Sequence, residues 1–328
     1  MSILKNIKLN YTTKLLNPSI EKKDFTNFQK SFEDLKKIDT KIANKYIKYN
    51  STDFIENEEL NFLFNKNIIW ANSFRKKDTN LISNLITKIF HQTSNDKIHH
   101  LNFYEDVLKT LEQDDAQDYK SFSDVFLKSH YYFQMMLDNK YPGTKVINTN
   151  SAFFEFEKKI HFTHHKLTRC YFYVLKHPYQ IFYELKNEGF EAQAALNILC
   201  NFENRPEFVK IKKDENNEVS CPENAKSWET NVSSWTNENA QITLRGLTVY
   251  YDELLYKTED KLIEIAAHLK ESGFGIDVNP MELSKIAESF QSDEKEKPIS
   301  EISNKEKKII DRECGDLIEK YFSERPSI

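Results

Sequence analysis

The residues most able to do chemistry lie together at 73–80, in the stretch SFRKKDTN. Arg75, Lys76 and Lys77 put three cations between a short apolar run, Ile68, Ile69 and Trp70, and an amphipathic segment carrying Leu81, Leu85, Ile86 and Ile89 at helical spacing. A strand that passes through a cationic turn into a helix N-terminus is a common way to hold a phosphate. Backbone N–H groups and the positive end of the helix dipole converge there. The turn has no glycine, the residue that usually lets a backbone close around an anion. Three further groups carry weaker signals. Asp114, Asp115 and Asp118 read as a solvated acidic face. The pairs His99–His100 and His164–His165 point in different directions as neighbours on one element, so they do not make a shared metal ligand set. No metal is expected.

Composition narrows the classes. The chain has 328 residues, a formal net charge of −5 and a sequence pI near 6.1, which gives no electrostatic reason to expect nucleic acid. Cys170, Cys200, Cys221 and Cys314 are widely spaced, without CxxC or Cys/His patterns. They fit reduced thiols of a cytoplasmic protein better than a disulfide frame. No run approaches the roughly 20 apolar residues of a membrane span, and the N-terminus lacks the apolar core of a secretory signal.

The elements that must position the cations follow from periodicity. Residues 1–66 read as a charged N-terminal helical extension, with Phe25, Phe28, Phe32, Leu35 and Ile38 on one helix face and Asp24 as its cap. After the opening strand and helix, 91–100 is polar, and a helical insertion is expected over 91–140. A short strand at 145–147 ends in NTNSA, and RCYFYVL at 169–175 has the continuous apolar character of a buried parallel strand. Pro178 suits the first turn of a helix over 179–189. The polar stretch 201–224 reads as a loop, 227–235 as a helix, 242–250 as a strand and 259–273 as a helix closed by Gly273. The run 289–306 is charged, 307–322 is a closing helix and 323–328 a tail. Strands alternating with helices predict an α/β fold of three layers, P-loop-like, with a mainly parallel central sheet flanked by helices.

Several of these stretches, in order, resemble the sulfotransferase family. LTVYYDELLYKTEDKLIEIAAHL (247–269) is similar to that family's tyrosine–acid–acid–leucine segment and the helix after it. SWETNVSSW (227–235) resembles its paired serine–tryptophan helix, and YVLKHPYQIFYEL (173–185) its strand ending in arginine, any residue, proline. IIDRECGDLIEKY (309–321) is like its closing helix, and SFRKKDTNLISNL (73–85) stands where the family has a proline–lysine–serine–glycine–threonine loop. The resemblance spans 67–322, a sulfotransferase-like α/β domain. It implies transfer of a sulfuryl group from 3′-phosphoadenosine-5′-phosphosulfate (PAPS) to a hydroxyl or amine of a small molecule or glycan. The implied partners are this nucleotide donor and a hydroxyl-bearing acceptor.

The same resemblance implies roles for individual residues. Lys76 matches the lysine that neutralises charge as sulfuryl leaves, and Arg75, Lys77, Asp78, Thr79 and Asn80 complete the donor loop. Lys176 matches the arginine for the 3′-phosphate, Glu184 its serine partner, and Asn150 the catalytic histidine. The departures fall on the chemistry. Asp78 replaces a glycine and Glu184 a serine, each setting a carboxylate beside an anion site. Lys176 keeps the charge and loses the bidentate fork. Asn150 cannot take a proton from a hydroxyl, which leaves His161, His164 or Glu155 as candidate bases. The arginine–lysine–glycine clamp is absent from 290–308. Two readings follow: a divergent sulfotransferase, or a pseudoenzyme that keeps the scaffold and binds a partner or glycan.

Overall fold

Two of the most apolar stretches become neighbouring central strands, β1 (Ile68–Ser73) and β6 (Thr168–Leu175). The protein is described by a computed structural model covering residues 15–22, 24–39, 43, 46, 51, 53–94, 96–110, 130–156, 160–201, 207–214, 217–223, 225–277, 279–290 and 302–324. The acidic group Asp114, Asp115 and Asp118 and most of the charged run at 289–306 lie outside these residues.

Before β1 come α1 (Asn17–Glu21) and α2 (Phe25–Ile38), the latter capped by the Asp24 carboxylate, which accepts from the Asn27 N–H at 3.2 Å. β1 leads into α3 (Lys76–Thr93), β2 (Ile98–Asn102), α4 (Phe103–Thr110), α5 (His130–Lys140) and β3 (Thr144–Thr149). The small hairpin β4 (Glu155–Phe156) and β5 (Ile160–His161) precedes β6. Then follow α6 (Pro178–Asn187), α7 (Ala192–Cys200), the hairpin β7 (Glu207–Asp214) and β8 (Asn217–Glu223), α8 (Trp228–Thr236), α9 (Glu238–Leu244) and β9 (Gly246–Tyr250). The chain closes with α10 (Tyr251–Tyr256), α11 (Thr258–Glu271), α12 (Pro280–Glu288) and α13 (Asn304–Phe322).

The central sheet has the order β2-β3-β1-β6-β9, with every neighbouring pair parallel. Side chains alternate between two helical layers. Ile68, Trp70, Tyr171, Tyr173 and Leu175 join one apolar core, while Ile69, Ala71, Cys170, Phe172 and Val174 join the other. Burial on both faces is why these strands read as continuous apolar runs rather than alternating ones. Phe28, Phe32 and Leu35 of α2 belong to the same core as Trp70 and Tyr171, so this N-terminal helix shares the interior of the sheet domain. Among the described residues no helix is long and apolar enough to cross a membrane.

Several expectations are corrected. The cationic turn is only Phe74 and Arg75, because Lys76 already begins α3. β2, sequence IHHLN, lies within the stretch read as polar and helical. It is an edge strand held by β3, and its polar composition hides it. The expected loop at 201–224 contains the antiparallel pair β7–β8. The strand expected over 242–250 begins only at Gly246, because α9 runs to Leu244 and Arg245 turns the chain with φ 53°. α13 starts earlier than 307, set by a capping box between Ser303 and Glu306.

Gly246 marks the closest approach in the sheet. A Cβ there would overlap the ring of Tyr171, which is fully buried and whose hydroxyl donates to the Trp235 carbonyl. Gly246→Ala is expected to lower stability by about 1–3 kcal/mol through overpacking, read as a lower denaturant midpoint with an unchanged slope.

Candidate functional site

The carboxyl ends of β1, β3 and β6 face α3, α4 and α6 at one edge of the sheet. Parallel α/β sheets bind ligands at that edge, where the strand order reverses around β1. All nine residues singled out by the resemblance converge there. They divide into a buried ionic cluster and a cleft.

Lys176 sits just past the end of β6 and is the centre of the cluster, with a side chain only 1% exposed. Its ammonium lies 3.1 Å from Asp78 Oδ1, 2.5 Å from Glu184 Oε1 and 3.4 Å from the centroid of the Tyr251 ring. Glu184 comes from the middle of α6 and also reaches Lys77, with Oε2 2.9 Å from Nζ. Asp78 is the third residue of α3, where a carboxylate complements the positive helix end. Its Oδ2 is nonetheless buried with no hydrogen-bond partner among the described groups. Burial raises the Asp78 carboxyl from 3.8 to about 6, against the pull of Lys176 and with the help of the nearby Glu184 charge. Burial wins because Lys176 is shared between two carboxylates.

The remaining loop cations are also paired. The Arg75 guanidinium meets Glu188 at 2.5 Å, and the Lys76 ammonium meets Glu105 at 2.5 Å. Thr79 turns its hydroxyl back to the Lys76 carbonyl at 2.7 Å, and Asn80 Oδ1 accepts from Asn148 Nδ2 at 2.7 Å. Lys76 and Asn150 line the same cleft of about 280 Å³, open solvent included, together with Thr79, Asn102, Phe103, Tyr104, Glu105 and Asn148. Asn150 is 6% exposed. Its Nδ2 donates to the Ser73 carbonyl at 2.8 Å, and its own carbonyl accepts from Asn231 Nδ2 at 2.8 Å. It therefore joins the ends of β3 and β1 to α8.

The three candidate bases stand apart from the cleft lining. Glu155 and His161 face each other across the β4–β5 hairpin, where the His161 ring stacks on Phe153 at 5.7 Å. Burial lowers His164 to about 3, assisted by the charges of His165 and Lys166. The His164 and His165 rings lie 4.1 Å apart, closer than adjacent side chains on a regular element would be. Among the described residues no group of three or more His, Cys, Asp or Glu is placed to hold a metal ion.

Some residues beside the cleft carried no mark in the sequence, and His100 stood out there only as half of an adjacent histidine pair. Tyr104 shares its hydroxyl with Ser151 Oγ at 2.7 Å and His130 Nε2 at 3.3 Å. His100 Nε2 accepts from Asn148 Nδ2 at 3.0 Å and lies 2.9 Å from Ser83 Oγ, and burial lowers its pKa, as suits a neutral ring. The partner carboxylates Glu105 and Glu188 were equally unmarked, since each meets its cation only through the fold.

No protein-family model matches this sequence, and no curated protein matches it. Among solved structures, the chain is similar to the mouse sulfotransferase SULT7A1 complexed with PAP. The two share 14% identity at a TM-score of 0.47, over 83% of this chain and 90% of that one. A likeness at that score carries no argument about function.

The cluster sets a pH dependence. Below pH 3.8 Asp78 is protonated whether the chain is folded or unfolded. Between 3.8 and about 6 only the folded form keeps its proton, so this group's contribution to stability is lost as pH rises through that window, by about 3 kcal/mol. Carbon-detected NMR titration should place the Asp78 midpoint near 6. Asp78→Asn should flatten the dependence at little cost, whereas Lys176→Met leaves the buried Asp78 carboxylate without its cation beside Glu184 and should destabilise by about 3–5 kcal/mol.

Proposed function

We propose that this chain is a sulfotransferase-like protein that keeps the scaffold without the PAPS-dependent transfer step, and works by binding a hydroxyl-bearing partner or glycan. One observation carries the reading: every cation at the donor positions is paired with a carboxylate of the chain itself. Arg75, Lys76, Lys77 and Lys176 supply four positive charges, and Glu188, Glu105, Glu184 and Asp78 four negative ones, leaving no net charge for an anion. A nucleotide carrying phosphate and sulfate would have to enter against the buried Asp78 carboxylate and the partly buried Glu184 beside it. At short range in a protein interior, like-charge repulsion amounts to several kcal/mol. The reactive position adds to this. Asn150 spends its amide on the Ser73 carbonyl and has no proton-accepting nitrogen for an acceptor hydroxyl.

The cleft chemistry favours a neutral polar ligand. The cleft is lined by the amides of Asn102, Asn148 and Asn150 and the Thr79 and Tyr104 hydroxyls beside the Phe103 ring and the Lys76–Glu105 pair, and Asn148 Oδ1 is buried without a hydrogen-bond donor. Such groups match sugar hydroxyls, which both donate and accept.

The transferase reading is supported by a different observation. The Lys76 side chain is 60% exposed, and ion pairs at such sites contribute only about 0–1 kcal/mol, so a multiply charged donor could displace Glu105 and take the lysine. Calorimetric titration with 3′-phosphoadenosine-5′-phosphate separates the two. The binding-protein reading expects no heat at millimolar nucleotide, and measurable binding once Asp78→Gly and Glu184→Ser are combined in a variant shown to fold. Micromolar binding by the unaltered protein, abolished in Lys76→Ala, would overturn it in favour of the enzyme.

A further inference from the structure

We propose that Asn148 selects the ligand of the cleft: its carbonyl oxygen takes a hydrogen bond from a sugar hydroxyl, and His100 holds the amide in the orientation that offers that oxygen. The proposal rests on the reading of the cleft as a site for a neutral hydroxyl-bearing ligand. Asn148 lies on β3 opposite Asn102 of the edge strand β2, is 4% exposed and lines the cleft. Its Nδ2 is committed inside the protein. It donates to Asn80 Oδ1 on α3 at 2.7 Å and to His100 Nε2 on β2 at 3.0 Å, with Asn102 Oδ1 at 3.5 Å. A planar amide that turns its nitrogen to these acceptors turns Oδ1 away from them. That oxygen is buried and has no hydrogen-bond partner among the described groups.

His100 decides which end of the amide is left over. Burial lowers the His100 pKa against the pull of Asn148 and the Asp106 charge, so the ring is neutral and has one bare nitrogen. The hydrogen bond from Asn148 makes that nitrogen Nε2. Ser83 Oγ lies 2.9 Å from the same nitrogen and donates to the Asn80 carbonyl at 3.1 Å. With the proton on Nε2 instead, the ring would donate to Ser83 Oγ, and Asn148 would lose its acceptor. The amide would then turn over and offer a donor in place of an acceptor. The tautomer of one ring therefore sets which kind of group Asn148 presents.

A buried acceptor without a donor is unfavourable until a ligand supplies one. A sugar hydroxyl does so and keeps its lone pairs for other groups of the cleft. An ionised carboxylate has only lone pairs, and would meet Oδ1 with no hydrogen to give. The cleft accordingly prefers a neutral sugar to a uronic acid, although Lys76 lines it, because that ammonium already meets Glu105. A ligand lacking the contacting hydroxyl would leave Oδ1 unsatisfied in the complex, the condition under which hydrogen-bonding sites reject an analogue most strongly.

Saturation-transfer NMR and chemical-shift titration of the full chain test this. The probes are the methyl glycosides of glucose, galactose and mannose, their monodeoxy analogues and methyl glucuronide. The expected result is binding of a neutral glycoside, with the glucuronide and one monodeoxy analogue weaker by about tenfold or more. The side-chain carbonyl carbon of Asn148 should shift on binding. Asn148→Ala should weaken the neutral glycoside by a similar factor and erase the discrimination. Nitrogen spectra of the His100 ring should show the proton on Nδ1, and His100→Gln, which keeps an acceptor for Asn148, should retain more affinity than His100→Leu. Should Asn148→Ala fail to fold, the deoxy series and the carbonyl shift decide the matter in the unaltered protein. Equal binding of a neutral glycoside by the unaltered protein and Asn148→Ala, or a proton on Nε2, would overturn this inference and leave the sugar-binding reading standing. Absence of binding by every probe would overturn both.

Discussion

The buried ammonium of Lys176 is the constraint around which the candidate site is arranged. A cation that is 1% exposed must be matched by charge and hydrogen bonds. Here the match comes from within, from the first turn of α3, the middle of α6 and the face of Tyr251. Asp78 occupies the place where a bound anion would complement the helix dipole and the lysine together. The chain has in effect supplied its own ligand.

This internal match explains why the strand–turn–helix unit forms without a glycine. A backbone that wraps an anion needs positive φ values and close approach, which only glycine supplies cheaply. With a carboxylate side chain satisfying the cation, the backbone has no such duty. Arg75 stays extended and Lys76 begins the helix at once. Asp78, Glu184 and the glycine-free turn are therefore parts of one structural solution.

The fold was legible wherever burial dictated composition. β1 and β6 are sealed on both faces and read as apolar runs, and Pro178, Gly273 and Ser227 mark helix ends by backbone geometry that the sequence states directly. Elements defined by their neighbours were not legible. β2 is polar because it lies on the sheet edge, and β7–β8 pair with each other in a stretch whose composition suggests turns. The site divides in the same way. Its cations stand in one short stretch and could be read, whereas Glu105 and Glu188 sit far from Lys76 and Arg75 in sequence and are brought to them by topology. Sequence proximity shows what charge is present, and only the fold shows what neutralises it.

The ion pairs also bear on how the chain reaches its native state. Lys176 and Asp78 are 98 residues apart, and Arg75 and Glu188 113 apart. Neither half of the sheet can satisfy these charges alone. An intermediate with β1 and α3 docked and β6 and α6 still loose would strand Asp78 in a drying interface without its cation. Such partial structures are penalised relative to both the open chain and the complete domain, which sharpens the transition between them. The long separations make that closure slow, since distant segments must meet before the charges repay their ordering. Full pairing of the cluster therefore requires both halves of the sheet to be in place.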